Sequence, residues 1–189
     1  MSKKNIIIIA GPNGAGKTTL APFLHSNYAI EESVNPDIIA DGLSLHPQTV
    51  AFQSGRIALT RIKTFLANNK SFAYETTLAS HTVSHILKSS HRDNYHVSLH
   101  FLALPSAQVA KQRVEHRVSQ GGHDIPDDVI ERRFKRGLAN FFSHYQYEVD
   151  EWVLYDALDN SNVIAYRNIN SAVDILLAND FNRLEAYND

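Results

Sequence analysis

An apolar segment followed at once by a glycine-rich loop constrains the fold of this chain more than any other feature. Residues 5–10 read NIIIIA, and residues 11–18 read GPNGAGKT, which fits the pattern G-x-x-x-x-G-K-[ST] at every fixed position. A short β-branched run bounded by glycine is typical of a buried parallel strand. The segment KTTLAPFLHSNY after the loop is typical of a helix. The sequence therefore predicts a strand, a phosphate-binding loop and a helix in succession.

The chemistry of such a loop explains its composition. Glycines let successive backbone N–H groups turn toward an anion, and the N-terminus of the following helix adds a partial positive charge. Lys17 is expected to reach the β- and γ-phosphates of a nucleotide, and the Thr18 hydroxyl can ligate Mg²⁺. We therefore predict a site for ATP or GTP with Mg²⁺ that is formed by Gly11, Pro12, Asn13, Gly14, Ala15, Gly16, Lys17, Thr18 and Thr19.

The rest of the chain alternates between strand and helix patterns. Further strands are predicted near residues 33–36, 71–75, 95–104, 151–158 and 162–168. A long helix is predicted over 48–68, with Phe52 and Ile62 on its apolar stripe, and a C-terminal helix over 170–179 is followed by a polar tail. This alternation predicts an α/β fold with a parallel sheet and helices on both faces. A length of 189 residues without repeats or linkers indicates one domain over residues 1–189.

Composition excludes several classes of function. A formal net charge of −2 argues against a general nucleic-acid-binding protein, which is usually clearly basic. The chain has no cysteine, so disulfides, thiolate metal sites and cysteine nucleophiles are ruled out. No segment approaches the roughly 18 apolar residues of a membrane span. We expect a cytoplasmic protein with no membrane contact.

Two carboxylates are placed to act on a phosphoryl acceptor. In a doubly wound sheet, functional residues follow the carboxyl ends of the strands, and Asp37 and Glu75 both stand there. Asp37 is a candidate general base, or alternatively a helix N-cap. Glu75 is a candidate ligand for Mg²⁺ or for substrate hydroxyls, or alternatively a cap for the next helix. Thr76 is a weaker candidate for substrate binding.

The segment GGHDIPDDVIERRFKRG (121–137) predicts a lid over about 118–130, or alternatively a passive connector. Two glycines supply freedom of movement, and arginine suits a bidentate grip on phosphate oxygens. Arg113 and Arg117 lie one helical turn apart before the glycines and are predicted to bind nucleotide. Arg117 with Arg132 or Arg133 is predicted to close on the phosphates during catalysis. His123 is a candidate substrate contact.

These motifs together resemble the zeta toxin family of P-loop kinases, in particular the branch often labelled predicted ABC-type ATPases. The resemblance runs from about Asn5 to Ser161 and rests on GPNGAGKTT, NPDIIA, FAYETT, QRVEHRV, GGHDIPDDVIERRF and NFFSHYQYEVDEW. It implies the fold of shikimate and nucleotide kinases and a hydroxyl acceptor such as UDP-N-acetylglucosamine. It also implies that Lys17 holds the phosphates, that Asp37 is the base, that Glu75 contacts substrate, and that an antitoxin protein is a possible partner.

The chain departs from the zeta toxin family in one motif, and three other classes of function compete with a zeta-toxin-like kinase. The toxins typically carry an acidic-Gly-Thr pattern where this chain has Glu75-Thr76-Thr77, so the resemblance makes the same sugar nucleotide a candidate acceptor but does not establish it. ABC-transporter ATPases share the loop sequence, but their LSGGQ-type segment and downstream Asp-Glu pair are missing here, which argues against that class. A nucleic-acid end kinase and a slowly hydrolysing nucleotide switch are the two remaining classes, and both stay open.

Overall fold

The protein is described by a computed structural model that covers residues 4–43, 47–122, 124–158 and 162–188. Within these ranges seven strands form one sheet in the order β2-β3-β1-β4-β5-β6-β7. They are β1 (Lys4–Ala10), β2 (Glu32–Val34), β3 (Phe72–Thr76), β4 (Tyr95–Ala103), β5 (Glu151–Asp156), β6 (Asn162–Arg167) and β7 (Asp174–Ile175). The first five are parallel, while β6 and β7 are antiparallel to their neighbours. The predicted α/β fold with a mostly parallel sheet is confirmed.

Helices connect or flank these strands. In the described ranges they are α1 (Lys17–Asn27), α2 (Pro36–Asp41), α3 (Pro47–Ala67), α4 (Thr82–Arg92), α5 (Ala107–Ser119), α6 (Asp127–Asn140), α7 (Gln146–Glu148) and α8 (Ala178–Glu185). A π-helical turn, Phe141–Tyr145, joins α6 to α7. No helix in the described part of the chain is both long and apolar enough to cross a bilayer.

The central strands are buried on both faces. Every residue of β3 and β4 is buried, and the four isoleucines of β1 have no exposed surface. The aromatic rings of Phe101, Phe141 and Trp152 meet edge-on or tilted at 5.1–5.3 Å between centroids, so the π-helical turn packs directly on β4 and β5. Such doubly covered strands have continuous apolar sequences, which is why β1, β3 and β4 could be located from the sequence.

The C-terminal region differs from the prediction. The predicted helix over 170–179 is wrong: Asp174–Ile175 forms an edge strand, and the helix begins only at Ala178. The predicted polar tail is instead α8, which buries Phe181 and Leu184 against the core. The last strands turn back as a hairpin because the connection between β5 and β6 is too short for a parallel crossover.

The apolar stripe predicted for the long helix is also partly wrong. Ala58 and Ile62 are buried as the helical spacing requires, but Phe52 is 67% exposed. Phe52 lies under the guanidinium of Arg56, 5.9 Å from its ring centroid, instead of in the core. The helical periodicity of the sequence predicted the helix correctly, but it wrongly placed Phe52 on the buried face.

Candidate active site

The glycine loop runs from the end of β1 into α1 and has the backbone geometry of an anion cradle. Gly11, Gly14 and Gly16 have positive φ angles of 139°, 79° and 87°, which L-residues with side chains rarely adopt. A Cβ at Gly11 would lie 2.4 Å from the carbonyl oxygen of Leu102, so the loop is pressed against the end of β4. Only glycine fits there.

Lys17 opens α1 and lies in the centre of the site. Its ammonium donates to the carbonyl oxygens of Gly11 and Pro12, both at 2.9 Å. Burial lowers the pKa of Lys17 from 10.5 to about 8, although the carboxylates of Asp37 and Glu75 act in the opposite direction. The ammonium is thus still largely protonated at neutral pH, but desolvated, which strengthens its attraction for a phosphate.

Thr18 and Glu75 meet although they are far apart in the sequence. The Thr18 hydroxyl donates to Oε2 of Glu75 at 3.0 Å. The contact follows from the register, because β1 and β3 are parallel neighbours with Ile9 opposite Glu75. Glu75 is 7% exposed, and its carboxylate belongs to this pair, so the interpretation of Glu75 as a helix cap is wrong. A hydroxyl beside a carboxylate is a set of oxygen ligands that suits Mg²⁺.

Asp37 lies in the first turn of α2, but it is not the cap of that helix. Asn35 is the cap, and its Oδ1 accepts from the backbone N–H groups of Asp37 at 2.9 Å and Ile38 at 3.3 Å. The Asp37 side chain is exposed, and among the described residues no hydrogen bond or ion pair engages its carboxylate. It is close enough to Lys17 and Tyr74 to influence the pKa of both.

The segment predicted as a lid begins where α5 ends in a Schellman motif. Gly121 has a φ of 88°, its N–H donates to the Val118 carbonyl at 2.9 Å, and the Gly122 N–H donates to the Arg117 carbonyl at 3.0 Å. This pattern stops a helix sharply and reverses the chain. The Arg117 side chain packs on Gly122, where a Cβ would lie 2.7 Å from Arg117 Cγ. Arg117 is also near enough to Lys17 to lower its pKa.

The side chains of Arg132 and Arg133 point to different surroundings. Arg133 donates from Nη1 to Oδ1 of Asn13 in the glycine loop at 3.3 Å, and its charge lowers the pKa of Lys17. Arg132 is exposed on a different face of α6 and, among the described residues, donates no hydrogen bond to the loop. Of the two arginines predicted as partners of Arg117, the fold brings Arg133 to the phosphate site.

Two further predicted residues, Arg113 and Thr76, have other surroundings. Arg113 donates from Nη1 to the carbonyl oxygens of Gly14 and Ala157, both at 3.2 Å, so it braces the loop against the end of β5. The Thr76 hydroxyl accepts from the backbone N–H of Leu78 at 3.0 Å, within the turn after β3. His123 lies outside the described residues. Direct contact of Arg113 with nucleotide, and of Thr76 with substrate, stays a prediction.

Sequence reasoning missed how α6 is seated. A Cβ at Gly137 would lie 2.5 Å from the Thr77 carbonyl oxygen, and Asn140 Nδ2 donates to the Leu78 carbonyl at 2.8 Å. Both contacts hold α6 against the turn after Glu75. A signal was present, because a glycine inside a helix costs about 1 kcal/mol and usually has a packing reason.

The residues of this site fit a nucleoside triphosphate. The side chains of Lys17, Arg117 and Arg133 bring three positive charges together against the carboxylates of Asp37 and Glu75. A polyphosphate would neutralise this excess, and the backbone N–H groups of a glycine loop supply uncharged donors. No group of three or more metal-ligating side chains occurs in the described ranges, so a Mg²⁺ here would take ligands from Thr18, Glu75 and the phosphates.

Residues 1–135 match a family model described as ABC transporter. The chain belongs to this family. The match covers β1, the glycine loop and the whole segment predicted as a lid, and it makes the protein a P-loop nucleotide-binding protein. It corrects the prediction against the ABC class: the loop and its surroundings carry the family signal even though the LSGGQ-type segment is missing from the sequence. The zeta toxin family itself is not what this family model describes.

Comparison with other proteins supports the same fold. An uncharacterised protein of Haemophilus influenzae is 26% identical over 129 residues, which is 68% of this chain and 91% of the relative. The structure of AvrRxo1-ORF1:-ORF2 with ATP superposes with a TM-score of 0.75 at 15% identity over 97% of this chain. This chain spans only 64% of the length of the AvrRxo1 chain it matches.

Two further structures are similar. One is from the PezAT toxin–antitoxin system of Streptococcus pneumoniae, with a TM-score of 0.66, 11% identity and coverage of 88% of this chain and 72% of that one. The other is a proposed kinase of Chloroflexus aurantiacus, with a TM-score of 0.56, 19% identity and coverage of 71% and 78%. At these identities the similarity establishes the fold alone.

Proposed function

We propose that the protein is a kinase that transfers the terminal phosphoryl group of ATP, or of GTP, to a hydroxyl group of a small molecule. Four features that meet at one edge of the sheet support this proposal. They are a buried lysine, a hydroxyl–carboxylate pair, a carboxylate without a partner among the described residues, and an arginine of α6. These are Lys17, Thr18 with Glu75, Asp37 and Arg133. Each has a distinct task in phosphoryl transfer.

Asp37 would act on the acceptor. Its carboxylate takes the proton of the acceptor hydroxyl while the acceptor oxygen forms a bond to the terminal phosphorus. The bond between that phosphorus and the bridging oxygen breaks, and the nucleoside diphosphate leaves. An exposed carboxylate beside the phosphate site suits a general base, whereas a nucleotide switch would not need one.

Lys17, Arg117 and Arg133 would stabilise charge during the transfer. Negative charge spreads over the oxygens of the moving phosphoryl group, and preorganised cations in a desolvated site stabilise it strongly. Thr18 and Glu75 would hold Mg²⁺, directly or through a bound water. The metal would supply charge neutralisation at the β- and γ-phosphates.

The acceptor is proposed from resemblance. A nucleotide sugar such as UDP-N-acetylglucosamine is the first candidate because the motifs of this chain resemble those of the zeta toxins. A nucleic-acid end kinase is disfavoured by the formal net charge of −2.

One labelling experiment separates these possibilities. The protein is incubated with Mg²⁺, γ-labelled ATP and, in separate reactions, UDP-sugars, nucleosides, simple sugars and 5′-hydroxyl oligonucleotides. We expect label on a small-molecule hydroxyl and a loss of transfer in Asp37→Asn. Asp41→Asn, at the exposed other end of α2, is the matched control. Label released only as inorganic phosphate, at a rate that Asp37→Asn leaves unchanged, would refute the kinase and favour the switch.

A protein partner is a second part of the proposal. The similar structures come from the AvrRxo1-ORF1:-ORF2 complex and the PezAT toxin–antitoxin system, which supports an antitoxin-like partner for this chain. If the protein is a toxin, induced expression should arrest bacterial growth, and Asp37→Asn should abolish the arrest. Equal growth with both proteins would remove the reason to expect an antitoxin.

A further inference from the structure

An exposed apolar segment, residues 168–179, lies at one edge of the sheet. We call it the β7 edge segment; it reads NINSAVDILLAN, and every residue in it is exposed. Five large aliphatic side chains there are 38–58% exposed: Ile169, Val173, Ile175, Leu176 and Leu177. Together they expose on the order of 400 Å² of apolar surface, as much as the largest patch of a typical monomer, and patches of that size often bind a partner.

The backbone of β7 is open on its outer side. β7 is the last strand of the sheet, and its Ile175 lies opposite Ala165 of β6. The Leu176 N–H donates to the Ile164 carbonyl at 2.9 Å. Because successive residues of an antiparallel strand direct their backbone groups to alternate sides, the N–H and C=O of Ile175 point away from β6. In the described ranges no backbone group accepts from or donates to them on that side, so a further strand could pair there.

The opposite edge of the sheet is protected against such pairing. Natural edge strands often carry charged side chains, which discourage another strand from adding. At the β2 edge, Glu32 forms an ion pair with Lys70 at 3.3 Å. The β7 edge segment has one charged residue, Asp174, and no lysine, arginine or histidine. The two edges therefore differ, and only the β7 edge combines open backbone groups with an apolar, almost uncharged surface.

The charge of Asp174 indicates which strand fits the β7 edge. Its side chain is exposed, and within the described residues no ion pair or hydrogen bond engages its carboxylate. In an added antiparallel strand one residue lies directly opposite Asp174, where an opposite charge is favourable and a like charge is unfavourable. A second copy of the β7 edge segment offers only apolar, uncharged polar or acidic side chains at that position. A different chain with a basic residue there is the better complement.

We propose that β7 binds an extended segment of a partner protein, which adds an eighth strand to the sheet with a lysine or arginine opposite Asp174 and aliphatic residues on either side. Main-chain hydrogen bonds to Ile175 supply affinity in this mode of binding, and the alternating side chains supply specificity. Three strands separate β7 from β1 and its glycine loop. The inference therefore goes beyond the proposed function, since it requires neither nucleotide nor phosphoryl transfer.

A charge-reversal experiment tests the complement of Asp174. Two fluorescent β-hairpin peptides, with outer strands Thr-Val-Lys-Val-Thr and Thr-Val-Glu-Val-Thr, are titrated with the full chain and followed by anisotropy; a hairpin is already extended, which lowers the cost of ordering. The lysine hairpin should bind at least about 5-fold more tightly than the glutamate hairpin. Asp174→Lys should reverse this order. No binding of the lysine hairpin at millimolar protein, equal affinities, or an order that Asp174→Lys leaves unchanged would overturn the inference.

Backbone and side-chain variants test whether the hairpin adds at β7. Ile175→Pro removes an N–H that points away from β6, and it should weaken binding of the lysine hairpin about 10-fold or more. Leu176→Ser covers the case in which the proline alters the fold, because this side chain is 58% exposed; it should also weaken binding. Leu158→Ser, at a side chain 49% exposed outside the segment, is the matched control and should change the affinity less than about 2-fold. Equal losses in Leu176→Ser and Leu158→Ser would place the hairpin elsewhere and refute the proposal.

Sedimentation velocity of the free protein tests the competing occupant, a second copy of the chain. A monomer, or a dimer that Ile175→Pro leaves intact, agrees with a β7 edge that is open to a partner. A dimer that Ile175→Pro dissociates would show that β7 pairs with β7 of another copy, and it would overturn the assignment to a different protein.

Discussion

Two clusters of polar side chains lie on the same sheet, and they differ in where their hydrogen bonds go. The first, the β4–β5 polar cluster, lies across those two strands and the end of α1 and consists of Tyr28, His96, Ser98, His100, Glu151 and Tyr155. Glu151 accepts from Ser98 and Tyr28 and lies 3.2 Å from His96 Nε2. His100 Nδ1 pairs with the Tyr155 hydroxyl at 3.0 Å. The carboxylate in this cluster finds its partners inside the protein.

In the second cluster, the phosphate site, several charged and polar groups lack partners within the described part of the protein. Lys17, Arg117 and Arg133 accumulate positive charge, Asp37 is exposed without a partner among the described residues, and Asn13 keeps a buried donor unsatisfied there. The fold thus holds the Asp37 carboxylate and the Asn13 amide in place but leaves each able to form further hydrogen bonds. His96 Nδ1 and His100 Nε2 of the first cluster are also buried without a hydrogen-bond partner in the described ranges, so neither burial nor an unsatisfied nitrogen marks a functional site by itself. The accumulated charge distinguishes the phosphate site.

Removing the Lys17 ammonium should give the largest difference in transfer rate between the two clusters. Lys17→Ala should lower phosphoryl transfer about 10³-fold, because a preorganised cation at the transferring group is lost. Glu151→Gln in the β4–β5 polar cluster should leave kcat within about 2-fold, since its hydrogen bonds go to Ser98 and Tyr28. Steady-state transfer rates check both. A comparable loss of rate in Glu151→Gln would mean that the two clusters act together.

The two neighbouring lid arginines should differ strongly. Arg133→Ala should lower kcat about 10²-fold because it removes charge next to Lys17, while Arg132→Ala should cost about 3-fold or less through the weaker long-range field. Both variants keep α6 intact, since both side chains are at least partly exposed. Equal effects would show that Arg132 acts on the phosphate site as strongly as Arg133 does.

Acid should act on the β4–β5 polar cluster through His100. Burial lowers the pKa of His100 from 6.5 to about 4, although Glu151 acts in the opposite direction. The unfolded chain therefore binds a proton that the folded chain refuses, so stability is full above pH 6.5 and falls as the pH drops toward 4. The loss should be about 3 kcal/mol. Urea denaturation across this range measures it, and His100→Gln should flatten the slope.

Gly121→Ala should have the smallest effect of these changes, and it should act on stability. Gly121→Ala forces a side chain into a φ of 88° and should cost about 1 kcal/mol of stability. A Cβ there meets no atom within 4 Å, so the cost is backbone strain alone. Chemical denaturation measures it. Gly42→Ala, at a negative φ on the exposed end of α2, is the matched control and should change stability by about 0.5 kcal/mol or less.

Much of the fold was predictable because its signals are local. β1, the glycine loop and α1 follow from consecutive residues, and β3 and β4 follow from apolar runs that only a doubly covered strand requires. The C-terminal prediction failed because Asp174–Ile175 pairs with β6 and Ala178–Glu185 packs on the core, and neither contact has a local signature. The alternating pattern there was too short to distinguish strand from helix.

The sequence by itself determined that a phosphate-binding loop exists, which residues compose it, and that acidic and basic side chains follow later strands and helices. Only the tertiary structure decided which of them meet. Parallel pairing of β1 with β3 placed Glu75 against Thr18, and the seating of Gly137 on Thr77 turned Arg133, not Arg132, toward Asn13. Neighbouring residues on a helix point about 100° apart, so only the packing of α6 could choose between them.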